Sequence, residues 1–170
     1  MKITQSFKAS VKKHIKWICI SLYSPAVRRF LKNNTNLKLV GVSGSVGKTS
    51  TKFAIAKSLE GAGKRVLLHQ GAYNDPLSGV FVLMEQEYPN INSPVALVKA
   101  YFSLRKAAKR KISFEYVVLE LGTDMPGEMR QFAKYLMLDL CVICAITPEH
   151  MVNFAGMEEV AGEELEVLKY

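Results

Sequence analysis

The stretch Gly41-Val-Ser-Gly-Ser-Val-Gly-Lys-Thr-Ser50 decides how this chain is read. The common phosphate-loop pattern G-x-x-x-x-G-K-[ST] would place a glycine where Val42 stands. The glycines fall at 41, 44 and 47 instead. Its flanks nevertheless suit phosphate: "LKLVGV" reads as a buried strand before the loop and Thr49 to Ala62 as a helix after it. In that context glycines let backbone amides turn onto phosphate oxygens, and the helix N-terminus adds positive potential. Lys48 reaches the β and γ phosphates and Thr49 can hold magnesium. The candidate nucleotide contacts are Gly44, Ser45, Val46, Gly47, Lys48, Thr49 and Ser50.

Outward from the loop, strands and helices alternate. "KRVLLHQG" reads as a second strand, "PLSGVFVLMEQEY" and residues 94–110 as helices, and "FEYVVLELG" as a strong strand. "PGEMRQFAKYL" reads as a helix, "LDLCVICAITPEH" as a strand and "GMEEVAGEELEVLKY" as a closing helix. This alternation predicts an α/β fold, a mostly parallel P-loop-type sheet with helices on both faces. The chain ends within a helix without a stop signal, so a longer protein cut short is expected.

Residues 1–36 form a separate segment, expected to be a basic, partly amphipathic helix that breaks near Pro25 and resumes from Arg28 to Lys32. Its apolar cluster, Ile15 to Tyr23, is far shorter than the ~20 residues that span a bilayer. No small-x-small cleavage site follows it. Packing on the domain and lying on an anionic membrane surface both remain open for it. Residues 37–170 form the second segment.

The 170 residues are 49% hydrophobic and 22% charged, with net charge +8, as in an ordinary one-domain globular protein. The charge is uneven: residues 1–38 contain Lys and Arg but no acid, and 105–111 read Arg-Lys-Ala-Ala-Lys-Arg-Lys. No aromatic interleaving or nucleic-acid fold signature accompanies these runs, so nucleic acid is not an expected partner. Without a signal peptide, Cys19, Cys141 and Cys144 are expected as reduced cytoplasmic thiols. Cys141 and Cys144 lie three apart in one strand and face opposite ways, which suits core packing rather than a shared metal.

"GVSGSVGKTSTK" resembles the ATP-binding loop of the Mur ligase family, whose pattern is G-x-x-G-x-x-G-K-[ST]-[ST]. Two further segments, "VVLELGTDMPGEM" and "AITPEHMVNFAGMEEVA", resemble later family motifs in the same order, so the likeness covers roughly residues 37–170. Glu120 and His150 each follow a strand end, where ligands gather in open α/β sheets. By resemblance both bind magnesium with Thr49, and Lys48, Glu120 and His150 form the catalytic set. Asn74 in "GAYNDPLSG" resembles a nucleotide-contacting asparagine of the family, although a plain Asn-Asp-Pro turn explains it equally. Many members carry a carbamylated lysine where ungapped counting puts Glu164. A glutamate there offers magnesium a carboxylate directly, or is a surface acid.

The resemblance implies an ATP- and magnesium-dependent ligase of peptidoglycan precursors acting through an acyl phosphate, most like the branch that adds D-alanyl-D-alanine. Its substrates would be a UDP-muramoyl peptide and an amino acid or dipeptide, and its location the cytoplasm, with membrane association through the N-terminal helix an open alternative. The chain alone is expected to be incomplete and inactive. Competing readings are a folylpolyglutamate synthase-like ligase, a membrane-associated P-loop ATPase, and a non-catalytic nucleotide-binding remnant.

Overall fold

The computed structural model describes residues 2–68, 75–148 and 151–170, with side chains from residue 10 onward. Four parallel strands, β1 (Lys38–Ser43), β2 (Val66–Leu68), β3 (Tyr116–Glu120) and β4 (Leu140–Ile143), form one sheet in the order β2-β3-β1-β4. The central pair carries near-continuous apolar runs, as strands covered on both faces must. Six α-helices complete the described fold: α1 (Lys2–Asn33), α2 (Lys48–Gly61), α3 (Pro76–Leu83), α4 (Pro94–Ala107), α5 (Met129–Phe132) and α6 (Met157–Leu165). A short 3-10 turn, Glu166–Lys169, follows α6.

Strand alternation sends Val40, Val42 and Val118 to one face, where Ala56 of α2 covers them with Val66. Leu39, Val117 and Leu119 point to the other, under α1, α3, α4 and α5. The expected helices on both faces are present. Cys141 packs on one of these faces and Cys144 on the other, as strand geometry requires, but both are only half-buried because β4 is the last strand of the sheet.

Helix α1 corrects one expectation: it runs unbroken through Pro25. Proline inside a helix removes one backbone bond and costs about 3 kcal/mol. Ile20 and Tyr23 before it, and Val27 and Phe30 after it, are all buried in one core. Each such burial contributes about 1.5–3 kcal/mol, so together they outweigh the proline. The Tyr23 hydroxyl also donates to the Leu97 carbonyl of α4 at 2.9 Å. Of the two alternatives for this segment, packing on the domain is realised along the helix's second half. No helix among the described residues is long and apolar enough to cross a membrane.

A second difference lies after β3, where "PGEMRQFAKYL" supplies only the single turn of α5. Gly127 has φ +84°, outside the helical range, so no helix can run through it from Pro126. Beyond Phe132 the backbone continues in i to i+3 turns, with Tyr135 N donating to Phe132 O.

Asp139 fastens β4 to the base of β1. Its Oδ2 accepts from the Leu39 amide at 2.9 Å and its Oδ1 from Lys38 Nζ at 2.7 Å, while its own amide donates to Leu39 O. Burial pushes this carboxyl up, but the Lys38 ammonium and the Leu39 amide outweigh it and hold it below the usual carboxylate range. A depressed pKa stabilises the fold above the ordinary value of about 3.9, and that contribution fades as pH falls through the folded value. Asp139→Ala should therefore lower stability in urea by about 1–2 kcal/mol at neutral pH. The deficit should shrink as pH falls below about 3.9, and a deficit that does not change with pH would contradict this account.

Candidate functional site

Parallel register pairs Val42 with Glu120, so the carboxylate at the end of β3 lies beside the first residues of the glycine loop. Thr49, in the first turn of α2, donates its hydroxyl to both Glu120 oxygens at 3.1 and 3.0 Å. Lys52 lies one turn further along α2, on the same helix face as Thr49. Its Nζ is 3.1 Å from Glu120 Oε2, and both side chains are 5% exposed or less. A buried carboxylate needs such compensation, since an unpaired one is strongly disfavoured. The hydroxyl and carboxylate form a pair of hard oxygen donors of the kind magnesium prefers, and the Lys52 ammonium sits where a cation balances Glu120.

Gly47 is the N-cap of α2, and no side chain caps the helix. The amides of its first turn therefore lack intrahelical acceptors and form an anion-binding end. Lys48 folds back over the loop and donates to the Gly44 carbonyl and, at 2.9 Å, to the Ser45 carbonyl. These fit a phosphate ligand: uncapped amides, a lysine held by loop carbonyls, and no acid in the first turn.

The amides of Ser45 and Val46 are differently engaged, both donating to Ala145 O at 2.8 and 3.2 Å. Ser45 Oγ donates to Thr147 O and accepts from Thr147 N. The phosphate contacts expected of these two residues require the loop to leave the end of β4. Each glycine of the motif has its own reason. A Cβ at Gly41 would meet Leu138 Cδ1 at 2.6 Å, so that position is set by packing. Gly44 and Gly47 have φ of +121° and +93°, a region that disfavours any side chain.

Helix α6 holds both loops with adjacent glutamates. Glu164, 3% exposed, accepts through Oε2 from Ser43 Oγ at 2.5 Å and from the Gly44 amide at 2.9 Å. Glu163 accepts from the Gly127 amide at 2.8 Å and the Met129 amide at 2.7 Å, and from Thr123 Oγ1 at 3.3 Å. Within the second loop Glu128 Oε2 accepts from the Asp124 and Met125 amides. Burial pushes the Glu128 carboxyl up, against the pull of those amides.

The structure thus brings Lys48, Thr49 and Glu120 together, and sets Glu164 at the root of the loop, buried rather than on the surface. Ser50 is exposed on α2. His150 and Asn74 lie outside the described residues. Among the described residues no three His, Cys, Asp or Glu gather to hold a metal ion. Sequence reading missed Lys52 and Glu163. The i+3 spacing from Thr49 was an available signal for Lys52, whereas nothing in the acidic run of α6 singles out Glu163. A cavity of about 580 Å³ lies between β2 and α3, lined by Leu67, Ser78 and Tyr88 among others. It shares no residue with the glycine loop, and the polar convergence at Glu120 identifies the site better than volume does.

Residues 42–170 match the Mur ligase middle domain. The chain is 27% identical over 140 residues to the UDP-N-acetylmuramoyl-tripeptide--D-alanyl-D-alanine ligase of Rickettsia prowazekii, covering 82% of this chain and 26% of that protein. It is 26% identical over 156 residues to the UDP-N-acetylmuramoyl-L-alanyl-D-glutamate--2,6-diaminopimelate ligase of Pseudomonas syringae pv. tomato, covering 92% and 30%. It spans about a quarter to a third of the length of these relatives. In fold it is similar to the crystal structure of MurF from Acinetobacter baumannii, with a TM-score of 0.65 at 22% identity over 87% of this chain and 27% of that one. The family model covers well over half of the residues, and the chain belongs to the Mur ligase family.

Proposed function

We propose that this chain carries the ATP- and magnesium-binding centre of a cytoplasmic amide-bond ligase that extends a UDP-muramoyl peptide. The observation that carries this is the meeting of Thr49, Glu120 and Lys52 beside the uncapped start of α2. A carboxylate oxygen takes the γ-phosphoryl of ATP, releasing ADP and leaving an acyl phosphate; an amine then attacks the acyl carbon, forming the amide and releasing inorganic phosphate and a proton. Two anions must approach each other, so fixed positive groups are the physical requirement. The Lys48 ammonium and the α2 amides meet the phosphates. Thr49 and Glu120 hold magnesium, with His150 as a further ligand and Asn74 as a nucleotide contact. D-Alanyl-D-alanine is the proposed amino substrate, supported by the activity for which several relatives are named. The boundary between a helical segment, 1–36, and the ATP-binding domain, 37–170, belongs to the same proposal.

Lys48 donates to two loop carbonyls, bonds that phosphate oxygens can replace. Calorimetry of the chain with ATP and magnesium should show weak binding that falls about 10- to 100-fold in Lys48→Ala, the loss of one charge-assisted bond. A folded wild-type sample that takes up no ATP would overturn the reading.

The Glu120–Lys52 pair gives a second test. Lys52→Met leaves a buried carboxylate uncompensated and should cost about 3–5 kcal/mol in urea unfolding, most of it recovered in the double variant with Glu120→Gln. If Glu120 is a metal ligand, magnesium should stabilise Lys52→Met more than wild type. A variant indifferent to magnesium removes Glu120 from the metal site.

For Glu164 the bonds to Ser43 and Gly44 support a loop-positioning role beside the metal role that the resemblance suggests. Glu164→Gln separates them. A changed magnesium dependence of ATP binding assigns it to the metal, and weaker ATP binding at unchanged magnesium dependence assigns it to the loop.

A further inference from the structure

Helix α1 has two apolar faces. Cys19, Ile20, Tyr23, Val27 and Phe30 enter the core, but Val11, Ile18 and Leu22 are 42%, 60% and 56% exposed, with Ile15 half-buried between them. The spacing 11, 15, 18, 22 is one continuous helical stripe. Helix α4 repeats the arrangement: Ala100, Leu104 and Ala107 are buried, while Val95, Val98 and Phe102 are 65%, 57% and 64% exposed. The two outward stripes adjoin across an apolar groove of about 370 Å³ that takes lining from both helices, Ile18, Leu22 and Val98 included. At one end Arg29 and Arg105 share a second depression with Leu22 and Tyr101.

Charge on these two helices is of one sign. Between them α1 and α4 carry eleven Lys or Arg and no Asp or Glu, and the remainder of the chain is net −3. A solvated surface has no need of exposed Ile, Leu, Val and Phe in a contiguous patch, and an ordinary nucleic-acid face has no use for an aliphatic stripe. Lys16 is paired with Asp75, but Arg29 and Arg105 flank the apolar stripe beside the groove. Apolar residues beside such cations match the interface of an anionic bilayer, where side chains enter the acyl boundary and Lys and Arg meet the headgroups.

We infer that the α1–α4 face is a peripheral docking surface for anionic phospholipid membranes. This rests on surface composition and stands apart from the ligase reading. The protein lies on the bilayer without crossing it. Each basic residue close to such a surface contributes roughly fivefold to partitioning, and the apolar stripe supplies the part that salt does not screen.

Vesicle co-sedimentation of the 170-residue chain tests this, with folding of each variant checked by circular dichroism. Wild type should bind phosphatidylglycerol-containing vesicles at least about tenfold better than pure phosphatidylcholine ones. Ile18→Asp combined with Phe102→Asp, both at exposed positions, should lower binding to anionic vesicles at least about tenfold, as should Arg29→Glu with Arg105→Glu. Equal binding to both vesicle types, or none, overturns the inference. Full binding by the Ile18→Asp/Phe102→Asp variant also overturns it, because charge alone would then suffice. So does a dimer in light scattering that this variant dissociates, with no vesicle binding by wild type, since the face would then belong to a second copy.

Discussion

Parallel pairing of β1 with β3 is the constraint on which the site depends. It sets Glu120 opposite Val42, where the glycine loop departs, and so within reach of the first turn of α2. A slip of one residue would bring Leu119 or Leu121 to that place and turn every side chain of the strand to the other face. The register is strongly held because both faces are dry: Val118 packs under α2 while Val117 and Leu119 pack under the opposite helices. The apolar core thereby fixes the position of the one carboxylate that a cation site at the strand ends requires.

That carboxylate is balanced from α2, by Thr49 and Lys52. A side-chain cap at position 47 would satisfy the α2 amides internally and remove the anion-binding end, and Gly47 supplies none. The opposite solution appears at α3 and α4, where Asp75 and Ser93 cap the helix with their own side chains. Helices α3 and α4 thus close their first turns with their own side chains, whereas the first amides of α2 have no side-chain cap.

The strands were legible because burial on both faces writes itself as runs of Val, Leu and Ile, and the glycine loop because its residue types leave few alternatives. Lys48, Thr49 and Glu120 lie together as the motif order implies. Other features were hidden for physical reasons. Continuity of α1 through Pro25 depends on long-range contacts of Ile20, Tyr23, Val27 and Phe30, which local propensity does not contain. The shortness of α5 follows from the positive φ of Gly127, and a Pro-Gly pair in sequence is compatible with a helix start as well as with a turn. Glu163 and Glu164 look like members of a solvated acidic helix, because the amides they accept from lie 36 and 120 positions away.

Two parts of this molecule gather positive groups, and their construction differs. At the glycine loop the positive potential comes from fixed amide dipoles and one lysine, next to a buried ion pair. On α1 and α4 it comes from lysine and arginine side chains, screened over about 8 Å at physiological salt where they meet solvent. A compact phosphate gains most from rigid, converging donors, which only the loop provides. An extended anionic surface gains from many weak charges spread over two helices and from apolar contact, which only the α1–α4 face provides. Shape and rigidity, more than the sign of charge, distinguish the two.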